Sequence, residues 1–328
     1  MKKITSLPLI LISLTVACEQ VALPPTSTPT VVDRNTLIID PKITPAEDFW
    51  PPSIVAGWNQ PEPLPYPVNT AGGEDSPFVT PDGGTLYFFF TPDVSIPAEK
   101  QLLDGVTGIW VTHCSGETWS EPQRVWLTNP GKLALDGCEF VLGDLMYFCT
   151  AREGYTGIQW FRAEFQDGLW QNWRFAGGEL KQSEYEVGEL HITADGKELY
   201  FHSPRAGGYG GLDLWVSHET PNGWGEPVNL GPLVNTTHDE GWPFVSADGQ
   251  ELWFNGQSTK GRPGPAIFRS LRQPDGTWGA AEEIISTFAG EPTLSGDGKT
   301  LYFVHHYYSA DLSQMLEADI YVSSRLEP

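Results

Sequence analysis

Ser76-Pro77-Phe78-Val79-Thr80-Pro81-Asp82-Gly83-Gly84-Thr85-Leu86-Tyr87-Phe88 decides the fold, because the chain repeats it with variations to its C-terminus. The echoes run from Glu139-Phe140-Val141 to Tyr147-Phe148, from Leu190-His191-Ile192-Thr193-Ala194-Asp195-Gly196 to Tyr200-Phe201, from Pro243-Phe244 to Trp253-Phe254, and from Pro292-Thr293 to Tyr302-Phe303. Successive aromatic pairs stand 49 to 60 residues apart, a period at which each unit needs its neighbours to bury its faces. Each unit is a strand, a turn, a strand ending in Tyr-Phe or Trp-Phe, a variable loop and a third strand such as Gly108-Ile109-Trp110-Val111 or Leu212-Asp213-Leu214-Trp215-Val216. The pairs Asp82-Gly83, Asp195-Gly196, Asp248-Gly249 and Asp297-Gly298 read as type I′ hairpin turns.

A fourth strand is marked by an aromatic and then a Pro, as in Trp119-Ser120-Glu121-Pro122 and Trp224-Gly225-Glu226-Pro227, and more loosely by Trp170 and Trp278. The last unit lacks this ending, which instead precedes the first unit: Trp58-Asn59-Gln60-Pro61, then Val68-Asn69-Thr70, matches Trp224 to Pro227, then Val234-Asn235-Thr236. The expectation is an all-β, five-bladed β-propeller of four-stranded antiparallel blades, the last blade closed by the N-terminal strand around Trp58–Thr70. From Gly188-Glu189 through Ala194-Asp195-Gly196-Lys197-Glu198-Leu199-Tyr200-Phe201 and Gly207-Gly208-Tyr209-Gly210-Gly211 to Thr237-His238-Asp239-Glu240-Gly241, the sequence resembles the TolB-type, WD-repeat-like β-propeller repeat of exported bacterial proteins. The resemblance extends over about residues 58–328. It implies an exported propeller that binds other molecules, and it supplies no common catalytic set.

Lys and Arg number 19 against 42 Asp and Glu, for a net charge of −23, which repels phosphate backbones and excludes nucleic acid as a partner. Met1-Lys2-Lys3 and the apolar run Ile4 to Val16 form a secretory leader over residues 1–17. Its end, Leu14-Thr15-Val16-Ala17-Cys18, resembles a bacterial lipobox, which implies that Cys18 is lipidated and the protein a membrane-anchored lipoprotein on the periplasmic or extracellular face; ordinary signal cleavage after Thr15-Val16-Ala17 is the alternative. Residues 18–49, rich in Thr and Pro, read as a tether, and residues 50–328 as a single, monomeric propeller domain. In an oxidising compartment Cys138 and Cys149 are a disulfide pair, since a turn at Gly143-Asp144 sets them opposite each other, and Cys114 is left over.

Function gathers where propeller loops surround the channel mouth. Repeat alignment puts Glu74, Asp136 and Glu240 in one slot and Glu189 and Glu291 in another, with Asp75, Glu139, Glu186 and Asp239 close by. This acidic ring suits a cation such as Ca²⁺, the hydroxyls of a glycan or a basic peptide, and the same acids equally serve as caps that accept backbone N–H groups. Glu74, Glu189, Glu240 and Glu291 are also the candidates for the paired carboxylates of a glycoside hydrolase. His202 and His305 could add nitrogen ligands, whereas His191, in a slot otherwise held by Phe, reads as a packed residue. Arg152 and Arg205 occupy equivalent loop positions, from which each can fork onto a carboxylate of a neighbouring blade or of a ligand. Two unshared insertions, Thr91 to Thr107 and His305 to Ala318, are expected to wall a groove carrying Tyr307, Tyr308 and Trp58 or Tyr66. The leading expectation is therefore a non-catalytic binding module for a glycan or an envelope protein. A glycoside-acting hydrolase and a propeller with structural Ca²⁺ are the alternatives.

Overall fold

A computed structural model describes residues 33–38, 40–54, 57–116 and 118–326; the leader, Cys18 and the tether up to residue 32 lie outside them. The chain is all-β apart from short helical turns. Five antiparallel meanders follow one another, and their first strands are Gly73–Val79, Ala134–Leu142, Leu190–Ile192, Gly241–Val245 and Ala289–Leu294. These form four sheets, because a parallel contact between Ala318 and Gly73 joins meander five to meander one; no sheet closes on itself. The first strands pack one against the next in chain order, and that of meander five packs against that of meander one. Equivalent side chains meet edge to face along this path, with ring centroids 5.4 Å apart for Phe78 and Phe140, 4.9 Å for Phe140 and His191, and 4.7 Å for His191 and Phe244.

The displaced ending is where the repeat places it. Glu62–Pro63 pairs with the third strand of meander five, Met315–Ser324, as its outermost strand. Trp58 and Glu62 oppose Arg325 and Val322 in the register that Trp224 and Val228 hold against Glu219 and Val216 in meander three. Asn69 and Asn235 each bond the backbone of their own third strand, at Ile320 and Leu214.

Three local expectations change. At each Asp-Gly turn only the Gly has positive φ, so the turns are not type I′. The chain takes one more residue before a left-handed Gly: Thr80 accepts the Gly83 N–H, and the Thr80 hydroxyl and the Gly84 N–H both bind Asp82 Oδ1. Ser246-Ala247-Asp248-Gly249 and Ser295-Gly296-Asp297-Gly298 repeat this Ser/Thr-Asp arrangement. Second, first strands carry bulges at Ser76, Cys138, Trp242 and Glu291, left-handed with φ of 50 to 54°. Cys149 therefore opposes Gly137, not Cys138, and Cys138 reaches it from the bulge to form the disulfide, with Cα atoms 5.3 Å apart. Cys114 is free.

Third, the tether expectation fails from residue 33 onward. Arg34 is 1% exposed, and its guanidinium bonds Glu74 at 3.0 Å and the Val68 carbonyl at 2.8 Å while lying over Phe88, Phe90 and Trp110. Lys42 pairs with Glu317 and Asp319, Asp48 bonds the buried His305 at 2.9 Å, and Trp50 donates to the Ser309 carbonyl. Residues 33–54 are thus a strap over meanders five and one.

Candidate functional site

The first-strand acids fall into two groups. Glu74, Glu240 and Asp136 are caps. Glu74 accepts the N–H and hydroxyl of Thr70 together with Arg34, and Glu240 accepts the N–H and hydroxyl of Thr236. Asp136 accepts the Thr150 hydroxyl and Arg152. Burial pushes Glu74 up to about 7 against the pull of Arg34. Asp239 caps the Leu212 N–H, and Glu186 is an exposed left-handed residue at the end of a helical turn.

Glu139, Glu189 and Glu291 form the second group. They line a cavity of about 60 Å³ to which all five first strands contribute, through Ser76 to Phe78, Cys138 to Phe140, Glu189 to His191, Trp242 to Phe244 and Glu291 to Thr293. Four bulges turn the backbone at its rim. Glu139 is 6% exposed and neither carboxyl oxygen has a partner among the described residues. Burial raises all three acids: Glu189 to about 8, with the Trp242 indole opposing and the Asp75 charge adding, and Glu139 and Glu291 well above the carboxylate range as their neighbours' charges add. Asp75 goes the other way despite burial, because His306 stands 3.4 Å away and the Ser76 N–H donates to it. The acids thus titrate as one linked set.

The other candidates are structural. His202 wedges between the Glu189 and Trp242 amides, each 3.3 Å from a ring nitrogen, and burial lowers it to about 4, so the ring is neutral. His305 and Tyr307 are buried, Tyr307 bonding Asp319 and Tyr321, so the expected groove wall is packed interior beneath the strap. Trp58 is buried against Trp253, whereas Tyr66 is 66% exposed. Arg152 and Arg205 bind acids of their own meanders, Asp136 at 2.8 Å and Glu226 at 2.6 Å, and not of a neighbour. No group of three or more His, Cys, Asp or Glu has metal-holding geometry among the described residues. Sequence reasoning missed Arg34, Lys42 and Asp48; the available signal was that six of the seven charged residues of the segment read as a tether fall between Asp33 and Asp48.

A cavity of about 60 Å³ holds a few waters and is far below the roughly 300 Å³ of a small-ligand site, so a sugar ring does not enter it. No protein-family model matches the sequence, and no curated protein matches it. Among solved structures the chain is similar to TolB from Acinetobacter baumannii, with 14% identity, 78% of this chain and 55% of that chain covered, and a TM-score of 0.41. It spans about half of that protein's length. It is also similar to the catalytic domain of a GH62 α-L-arabinofuranosidase from Coprinopsis cinerea, with 12% identity, 86% and 98% covered, and a TM-score of 0.48. For the endo-arabinase from Bacteroides thetaiotaomicron the values are 15%, 81% and 98%, and 0.46. Likeness at this level assigns no chemistry to this chain.

Proposed function

We propose that the protein is a five-bladed β-propeller, exported and lipid-anchored through Cys18, that binds an envelope protein or a glycan and does not hydrolyse it. The observation that carries the reading is the narrow central cavity in which the Glu139 carboxyl has no partner among the described residues. It admits a slim cationic group, such as a lysine ammonium or a chain terminus, and excludes a sugar ring. A glycan partner would instead lie on the surface, where Tyr66 is 66% exposed. Binding a cation displaces the carboxyl protons, so affinity rises with pH through about 8, where Glu189 ionises.

The hydrolase reading has one observation in its favour, the proton that Glu189 retains at neutral pH, as a general acid requires. Calorimetric titration of residues 19–328 with tetralysine at pH 6 and pH 9 separates the two, run beside a glycan array and a panel of nitrophenyl glycosides, arabinofuranosides included. The expected result is tighter binding at pH 9, weakened by Glu189→Gln and Glu291→Gln, with no turnover. Turnover that disappears in Glu189→Gln would replace this reading with the hydrolase, and a melting temperature lowered by chelator would restore the Ca²⁺ alternative.

A further inference from the structure

Among the described residues, four of the five meanders hold a cation beside the loop that follows their second strand, over aromatic residues near it. In meander one it is Arg34, on Glu74 and over Phe88, Phe90 and Trp110. Meander two uses Arg152, on Asp136 and over Phe148 and Phe161, with the Phe161 ring 4.2 Å away. Arg205 lies over Trp215 and Tyr185 in meander three, and Lys42 lies over Tyr307 and on Asp319 in meander five. Arg152 and Arg205 stand four residues after Phe148 and Phe201; at that position meander one has Pro92 and meander five has Tyr307, and there the strap supplies the cation instead.

Meander four has Ser258 at that position; its Arg269 lies over Trp253 and its Arg272 over Trp278, and neither lines the corresponding cavity. It nonetheless retains the socket of meander one. Val234, Thr236 and Glu240 stand for Val68, Thr70 and Glu74, with the same two Thr-to-Glu bonds, and Phe254 and Phe268 stand for Phe88 and Trp110. Gly256 replaces Phe90, and a Cβ there would press on Phe268 at 3.1 Å. The result is a cavity of about 220 Å³ bounded by Val234, Glu240, Phe254 and Phe268. At its base Glu240 is 2% exposed and has no ion-pair partner among the described residues, whereas its counterpart Glu74 has Arg34. Lys260 and Arg262, on the adjoining loop, are exposed and in no ion pair, and residues 1–32 contain no arginine.

We infer that the cavity of meander four is a receptor site for an arginine side chain of a partner polypeptide. The guanidinium lies between the Phe254 and Phe268 rings and the rim, with its N–H groups on Glu240, as Arg34 is held in meander one. The site is separate from the central cavity, so either reading can fail without the other. Arginine fits better than lysine because a planar guanidinium both stacks on an aromatic ring and bonds a carboxylate.

The test is titration of residues 19–328 with acetyl-Gly-Arg-Gly-amide and with its lysine and citrulline counterparts. Free arginine and methylguanidinium are separate arms that distinguish a polypeptide side chain from a small cation. The arginine peptide is expected to bind saturably at one site, with a roughly tenfold or greater loss for the citrulline peptide, which keeps the shape without the charge. Glu240→Gln should cause a similar loss while the melting temperature holds, and Ser258→Arg, which restores the arginine of meanders two and three, should abolish binding by filling the socket. Equal binding of arginine and citrulline peptides, or arginine binding unchanged in both folded variants, overturns the inference. If free arginine binds as tightly as the peptide, the small molecule and not a polypeptide is the ligand, which overturns the partner assignment.

Discussion

Glu189 keeps its proton to about pH 8 because it is buried beside Asp75, and that proton has a measurable consequence. Below the ordinary carboxyl value of 4.5 both folded and unfolded chains carry it, so it has no effect on stability. Above that value the unfolded chain releases the proton and the folded one does not, so stability falls progressively until about pH 8. Urea midpoints of the wild type and Glu189→Gln should coincide near pH 4, with the variant gaining as pH rises to 8; a difference independent of pH would contradict the burial argument. His191 has the opposite sign. Its imidazole, packed between Phe140 and Phe244, is lowered to about 3 from 6.5, so it costs stability as pH falls below 6.5. His191→Phe, which restores the residue of the neighbouring slots, should gain several degrees in melting temperature at pH 5 relative to any gain at pH 8. His191 was legible as a packed residue because its alignment slot is filled by Phe in three other meanders. The separation of Glu74, Asp136 and Glu240 from Glu189 and Glu291 was legible in the repeat alignment, whereas the place of Glu139 in the cavity was not, because it depends on the bulge at Cys138, which shifts the strand by one residue.

At the scale of elements, the meanders were readable because they recur, and the exchanged outer strand because Trp58 to Thr70 copies Trp224 to Thr236. The turns were misread because Asp-Gly is shared by two turn families, and the Ser or Thr two residues before each Asp selects the longer one by bonding its carboxylate. The strap was invisible for a different reason. Its bonds join residues 40 and 257 positions apart, Arg34 to Glu74 and Asp48 to His305, and such pairings impose no local period. Arg34 is a buried point of its attachment, and removing it strands the buried Glu74 carboxylate without its cation. Arg34→Ala is expected to cost about 3 kcal/mol in urea denaturation. Adding Glu74→Gln should return part of that loss, because the stranded charge goes with it, and the double-mutant cycle reads the coupling directly. Strictly additive losses would show that the pair contributes nothing beyond its separate contacts.

For the molecule as a whole, the question is what holds meander five to the rest, since Met315–Ser324 would be an open edge without Glu62–Pro63. The chain approaches that edge from the strap, so anchorage and closure are one device. Arg34 and Lys42 fix the approach, Ser53–Ile54 extends meander four on the way, and Trp58 with Glu62 then completes meander five. Two truncations separate these contributions. A chain beginning at residue 33 keeps every contact described and should melt with the chain of residues 19–328. A chain beginning at residue 65 loses the strap and the outer strand together, leaving Glu74, Glu317 and Asp319 without their cations and the third strand of meander five unpaired. Several kcal/mol are at stake, and at about 2–4 °C per kcal/mol the melting temperature should drop by roughly 10 °C or more. The bared edge should also drive association, visible as an earlier-eluting species in size-exclusion chromatography. Adding a peptide of residues 33–64 in trans should restore both the melting temperature and the monomer if closure is a packing event that the covalent link only makes efficient. A residue-65 chain that melts unchanged and stays monomeric would mean that the first strands hold the meanders together by themselves, through contacts such as those of Phe78, Phe140, His191 and Phe244.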